Sequence, residues 1–428
     1  MYAVKPIRLR RCGPVPGTPK LPLAGVVSRT ARSHLSLGRK PMFASRIPFA
    51  SEPNALGRLL RRLEAEGVPV VDLTVSNPTR VGLDYPADLL APLADPRARE
   101  YEPAPLGLSA ARQAVAADFR RRGVPLDPGR VALTASTSEA YSFLFKLLCD
   151  PGDRVLVPVP SYPLFDYLTR LEGVEADAYA LRYDGAWEID LAGIRAAVTD
   201  RTRAVLVVSP NNPTGSIVTR RELEGLSALC AEHSLALIGD EVFADYPLQP
   251  RAEGVSSVLL QDQVLTFSLG GLSKSAGLPQ LKLGWIGLGG PDPLVGRALE
   301  GLEFLCDSYL SVSTPIQQAA PDLLLRAGEL RRQIAGRTRA NLARLEAALA
   351  RHPACRLLRP EAGWCAVLQV PALQSEERMA LDLLEQDRLL VHPGYFFDFP
   401  REAFLVLSLL VPEAIFAEAI PRMLARVG

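Results

Sequence analysis

Residues 264–285 read VLTFSLGGLSKSAGLPQLKLGW. An apolar run, Val264–Leu269, ends in Gly270 and Gly271; Ser273 and Lys274 follow, then Gly277-Leu278-Pro279 and Lys282. Such a short apolar run closed by turn residues predicts a buried strand that delivers Lys274 to a loop at its carboxyl end. A lysine at that place is partly desolvated, which lowers its pKa and makes its amine a usable nucleophile for Schiff-base chemistry. An isolated Ser-Lys pair is usually an ordinary surface feature. Lys274 gains meaning only from what other stretches bring beside it.

Working outward, similar strands recur and alternate with helices. Strands are expected at 131–133, 153–158, 204–208, 235–238, 264–268 and 283–288, with helices from about Ser109 to Arg122, Glu139 to Leu148 and Arg221 to Glu232. Ser161-Tyr162-Pro163 is read as opening a further helix. This alternation predicts an α/β class fold, a three-layer α/β/α large domain around a mostly parallel sheet. Ligands in such sheets sit at the carboxyl ends of the strands. The turn Thr134–Ser138, Tyr162, Asn212, Asp240 and Lys274 all fall at or just beyond such ends. After Pro291 come long helical stretches, including Glu329–His352, and then strands at 365–370, 389–391 and 404–410 with the turn His392-Pro393-Gly394. These predict a smaller α+β domain. The expected division is a basic extension at 1–41, an N-terminal arm with part of the small domain at 42–95, a large domain at 96–328 and a C-terminal small domain at 329–428.

Composition narrows the function. The 428 residues carry 48 Lys and Arg against 47 Asp and Glu, so no charge excess points to nucleic acid or a membrane surface. No apolar run approaches the ~20 residues of a membrane-spanning helix. Six cysteines (Cys12, Cys149, Cys230, Cys306, Cys355, Cys365) and four histidines (His34, His233, His352, His392) are scattered, which predicts no metal site and a reducing cytoplasm. Residues 1–41 hold nine basic residues and no acid, leaving the remainder near −8; they are expected to be disordered, or to precede a true start at Met42.

The strand-end residues fit one set of needs. Phosphate needs N–H donors and positive charge, which the Ser136-Thr137-Ser138 helix start, Ser273 and Lys282 can supply. A flat aromatic ring needs a stacking face such as Tyr162, and a protonated pyridine nitrogen needs a carboxylate such as Asp240. A phenolic oxygen needs a donor, and the Asn212 amide provides one. With Lys274 holding an aldehyde carbon, these are the needs of pyridoxal 5′-phosphate, whose pyridinium ring is an electron sink.

SPNNPTG (209–215), DEVF (240–243) and GLSKSAGLPQLKLGW (271–285) together resemble the signatures of class I/II (fold type I) pyridoxal-phosphate-dependent aminotransferases. So do the Tyr101-to-Gly107 turn, TASTSEA, PSYP and HPGYFF, over about residues 45–428; the likeness is to an alanine/aspartate-type bacterial branch. The resemblance implies ping-pong transfer of an amino group between an amino acid, or other amine, and a 2-oxo acid. It makes Lys274 the Schiff-base lysine and Asp240 the pyridine-nitrogen partner. It places Asn212 on the phenolic oxygen, Tyr162 on the ring, and Thr137, Ser138, Ser273 and Lys282 on the phosphate. It also implies a homodimer with the active site at the interface, in which Tyr101 reaches the partner's phosphate. The same cofactor also serves lyases, decarboxylases, racemases and non-catalytic sensing domains, and these are the alternatives.

Three positions depart from the family pattern. Phe243 stands where a tyrosine is usual, Lys282 where an arginine is usual, and Val406 where an arginine usually clamps the substrate α-carboxylate. Arg80, beyond the Asn77 turn, is the candidate substitute for that clamp, with Asn77 and Asn212 beside it as candidate substrate contacts. Trp364, Tyr395 and Phe396 are candidate pocket walls. The amino donor itself is not written in the motifs.

Overall fold

Alternation of side chains within single strands builds the centre of the protein. In Thr202–Val208, Ala204, Leu206 and Val208 join one apolar cluster while Val205 and Val207 join another on the opposite face. A strand buried on both faces needs a helical layer on each side, and the computed structural model, which describes residues 42–47 and 53–428, has both layers. The expectations for residues 1–41 lie outside the described residues.

The large sheet has eight strands: β1 (Val131–Thr134), β2 (Arg154–Val159), β3 (Glu175–Tyr183), β4 (Trp187–Ile189), β5 (Thr202–Val208), β6 (Ala236–Asp240), β7 (Thr266–Gly271) and β8 (Gly284–Gly289). Their order is β1-β8-β7-β6-β5-β2-β3-β4. The pairs β7–β6, β6–β5, β5–β2 and β2–β3 are parallel, whereas β8 runs antiparallel to both of its neighbours and β4 closes the far edge antiparallel. The sheet is thus mostly parallel with two reversed strands. Helices Thr137–Leu148 and Asp292–Tyr309 pack on one face, and Leu191–Ala197 and Arg220–His233 on the other. The sequence pattern does not announce β3 and β4 because these outer strands are half-exposed and carry charged residues.

Two local expectations need correction. The helix expected from Glu139 begins at Thr137, because Ser136 caps it by accepting a bond from the Glu139 N–H at 3.2 Å. Tyr162 does not open a helix; the next one starts at Phe165, and Tyr162 lies in the turn before it.

The second sheet contains β9 (Arg356–Leu358), β10 (Cys365–Gln369), β11 (His392–Pro393) and β12 (Phe404–Ser408), all antiparallel, in the order β9-β10-β12-β11. His392 and Pro393, expected in a turn, therefore form a short strand opposite Val406 and Leu405. Val71–Asp72 pairs in parallel with Leu389–Leu390, tying the N-terminal segment to this region. The helix Thr314–Leu349 runs unbroken across residues 328 and 329, so one rod belongs to both halves of the chain.

Asn341 fastens that rod. Its side chain has no exposed surface, and Nδ2 donates to the carbonyls of Leu409 at 2.9 Å and Val411 at 2.7 Å. Replacing it with alanine strands two buried acceptors. Asn341→Ala is therefore expected to cost roughly 2–3 kcal/mol in urea unfolding; an unchanged midpoint would contradict this account.

Candidate active site

β6, β7 and β5 end side by side, and each end carries one of the singled-out groups. Asp240 is the last residue of β6, Lys274 lies in a four-residue helix (Leu272–Ser275) directly after β7, and Asn212 lies in the turn after β5. The parallel register places Asp240 opposite Val208 and Leu269, so convergence follows from the pairing.

Asp240 is held by two bonds. The Tyr141 hydroxyl donates to Oδ2 at 2.8 Å, and the Val242 N–H donates to Oδ1 at 3.2 Å. Burial pushes the Asp240 carboxyl up to about 6, although both hydrogen bonds and the Lys274 charge oppose the shift. Lys274 shifts the other way: burial lowers its pKa, against the favourable charges of Cys365 and Asp240. Its Nζ lies 3.4 Å from the Ser76 carbonyl, 5.2 Å from the Trp364 ring centroid and 5.9 Å from that of Phe243. The lysine amine thus has two aromatic rings and one carbonyl beside it.

The turn bearing Asn212 is fixed from behind. Asn211 donates to the Pro160 carbonyl at 3.0 Å and to Thr214 Oγ1 at 2.8 Å, and accepts from Ser161 at 2.8 Å. Ser161 is the neighbour of Tyr162, so one buried amide sets two turns. Asn212 itself faces the Cys365 thiol, with Sγ 3.5 Å from Oδ1. Tyr162 remains 47% exposed; its hydroxyl titrates above its ordinary value, first from burial and then from the Asp240 charge.

The helix start after β1 is brought to the same place by a glycine. A Cβ on Gly284 would lie 2.8 Å from the Ser136 carbonyl carbon and 3.1 Å from the Thr137 nitrogen, so only glycine lets β8 pass. Gly284 also pairs with Gly271, two residues before Ser273. Among the described residues no group bonds the hydroxyls of Thr137, Ser138 or Ser273, whereas the Ser136 hydroxyl accepts the Glu139 N–H as the cap. Lys282 is exposed, donates to the Pro279 carbonyl at 2.6 Å and lies near enough for its charge to reach Lys274.

The remaining candidates separate. Asn77 uses its side-chain oxygen to cap Thr79, accepting from the N–H at 3.1 Å and the hydroxyl at 2.8 Å, so that oxygen serves the turn. Arg80 is exposed; its N–H donates to the Asn77 carbonyl at 3.1 Å, and its guanidinium has no partner among the described residues. Tyr101 is 70% exposed and stands apart. Val406 is buried opposite Val367 and His392, where burial depresses the His392 pKa to about 4 against the pull of the Asp72 carboxylate. Of the aromatic candidates, Trp364 lies at Lys274, while Tyr395 packs on Phe396 and Phe396 on His392. Tyr141 and Cys365 escaped the sequence reading. Tyr141 could have been found four residues along the helix from Thr137; nothing in the sequence pairs Cys365 with Asn212.

This donor set suits pyridoxal phosphate: free hydroxyls at a helix start, a lysine two residues before the Gly284 that meets that start, a half-exposed aromatic face, a buried carboxylate and an amine whose pKa burial lowers. The family model described as Aminotransferase class I and II matches residues 83–419. The chain belongs to this family. It is 30% identical over 382 residues to an alanine aminotransferase of Mycobacterium bovis, covering 85% of this chain and 86% of the relative. It is 29% identical over 349 residues to the glutamate-pyruvate aminotransferase AlaA of Escherichia coli, covering 79% and 86%. Among solved structures, an aminotransferase from Escherichia coli superposes with a TM-score of 0.78 at 26% identity, covering 90% of this chain and 99% of that one. An alanine aminotransferase from Pyrococcus furiosus gives 0.78 at 25% identity, covering 86% and 95%. The protein is a pyridoxal-phosphate-dependent aminotransferase of fold type I.

The raised Asp240 pKa has a consequence for stability. The folded protein holds this proton more tightly than the unfolded chain, whose value is near 3.8. Stability from this group is therefore greatest below about pH 4 and falls as pH rises towards about 6. In cofactor-free protein, Asp240→Asn should gain on wild type by roughly 2–3 kcal/mol across that window in urea titrations. Parallel stability profiles would refute the assignment.

Proposed function

We propose that Lys274, Asp240 and Asn212 form the reacting centre for amino-group exchange between an amino acid and a 2-oxo acid. The observation that carries this reading is the convergence of a low-pKa lysine, a buried carboxylate and an amide at three adjacent strand ends. Thr137, Ser138, Ser273 and Lys282 would hold the cofactor phosphate, with the Ser136-capped helix start supplying N–H groups. Tyr162 would cover the ring, Asn212 would donate to its phenolic oxygen, and Asp240 would keep the ring nitrogen protonated. When bound, the cofactor supplies an electron sink for charge developing at the substrate Cα. Lys274 Nζ, made neutral more easily by its burial, takes the Cα proton and returns it on the other side of the exchange. Trp364 and Phe243 limit water around that amine.

Two relatives named for alanine or glutamate-pyruvate transfer make alanine with 2-oxoglutarate the first pair to assay. The substrate carboxylate needs a cation that β12 does not offer, since Val406 is apolar. We assign it to Arg80, which follows the Ser76 turn that touches Lys274 and whose guanidinium has no partner among the described residues. Assembly as a homodimer in the cytoplasm belongs to the same reading, supported by the exposed Tyr101 and by five free cysteines among the described residues.

Without an acceptor, amino donor should yield one oxo acid per site together with pyridoxamine phosphate, and then stop. Continued release of ammonia would instead identify a lyase. Lys274→Ala should lower turnover by roughly 10²–10⁴-fold; retained turnover would defeat the proposal. Arg80→Ala should raise the KM for the amino acid about tenfold with little change in kcat. Unaltered kinetics would remove Arg80 from the site.

A further inference from the structure

Lys274 projects from a helix of only four residues, Leu272–Ser275, too short to hold its own carbonyl end rigid. That end is held from outside. The Tyr246 hydroxyl donates to the Lys274 carbonyl at 2.6 Å and lies 3.1 Å from the Ser275 carbonyl. Arg331 Nε donates to the Ser275 carbonyl at 2.8 Å. Tyr246 has no exposed surface and Arg331 is 8% exposed, so neither bond competes with bulk water.

Behind these two donors lies a closed set of charges. Arg331 Nη2 donates to Asp118 Oδ1 at 2.9 Å and its Nε is 3.6 Å from Asp245 Oδ2. Arg121 bonds Asp118 at 3.0 Å and also Asp245. Two guanidinium groups and two carboxylates therefore balance one another. They come from three separate elements: the helix Ser109–Arg121, the segment after β6, and the helix Thr314–Leu349. Asp118, Asp245 and Arg331 are buried while the Arg121 side chain stays 44% exposed, and burying charges is a poor way to gain stability, because apolar side chains of similar volume would serve as well or better. What the charges achieve that apolar groups cannot is direction: they aim one N–H at a chosen carbonyl. The Tyr246 ring adds a second constraint, packing 5.2 Å from the Trp364 ring that also lies 5.2 Å from Lys274 Nζ.

We propose that Tyr246 and Arg331, backed by Asp118, Asp245 and Arg121, are positioning residues that fix the turn bearing Lys274 and so aim its amine at the cofactor aldehyde. The inference rests on the reading of Lys274 as the residue that attaches the cofactor, a condensation that releases one water.

The two cofactor forms separate positioning from general loosening. Pyridoxal phosphate binds through the phosphate site and through the bond to Lys274; pyridoxamine phosphate uses the same site without that bond. Tyr246→Phe keeps the ring against Trp364 and removes only the hydroxyl. It should weaken pyridoxal phosphate binding, followed by visible absorbance, about tenfold, the effect of losing one well-made hydrogen bond. Pyridoxamine phosphate binding should stay within about twofold of wild type, since its contacts are untouched. Arg331→Met should act in the same direction and Arg331→Lys should restore part of the loss; if Arg331→Met does not fold, Tyr246→Phe decides alone. Equal weakening of both forms, or no weakening of either, would overturn the inference. Lys274→Ala is the reference: if it binds pyridoxal phosphate like wild type, the reading of Lys274 fails first.

Discussion

The carbonyl of Gly215 accepts two backbone N–H groups, from Glu361 at 3.1 Å and Ala362 at 2.9 Å, and this seam joins the two sheets at the site. The approach is so close that a Cβ on Gly215 would lie 2.6 Å from the Ala362 carbonyl oxygen, and its φ of +71° suits only glycine. One end of the seam is the Asn211–Gly215 turn, whose amide network also sets Ser161 and hence the turn of Tyr162. The other end runs directly into Trp364 and Cys365. Glu361 reinforces the seam, accepting from the Ile217 N–H at 2.8 Å and pairing with Arg251. The seam brings Trp364 and Cys365, which the second sheet holds through the Leu409 N–H on the Trp364 carbonyl at 2.7 Å and the pairing of Cys365 with Ser408, against the Asn212 turn.

Electrostatics at the centre follow from the same enclosure. Burial moves Lys274 down and Asp240 up, so each group is pushed towards its neutral form, while their mutual attraction resists. The balance suits a site that must pass a proton from carbon to nitrogen and back.

Much of this was legible in the sequence, for particular reasons. Short apolar strands ending in Gly, Asp or Asn announce a parallel sheet and its ligand edge, and Lys274, Asp240 and Asn212 were readable because each sits at such an edge. The outer strands β3 and β4 were not, because half-exposed strands lose the continuous apolar signal. Asn77 looked like a ligand because an amide in a turn can serve either the turn or a substrate; the bonds to Thr79 show which use its oxygen has. Ser136 accepts the Glu139 N–H as a helix cap, a use that leaves its hydroxyl proton to donate elsewhere.

The sequence by itself determined the apolar central strands of the large sheet and which chemistry-bearing residues stand at their ends, because these depend on neighbours within a few positions. Only the tertiary structure decided that Tyr141 bonds Asp240, that Cys365 faces Asn212, and that Tyr246 and Arg331 grip the turn of Lys274. Those contacts join residues between 28 and 153 positions apart. No periodicity encodes such partners, since they are chosen by how the long helix and the second sheet pack against the strand ends.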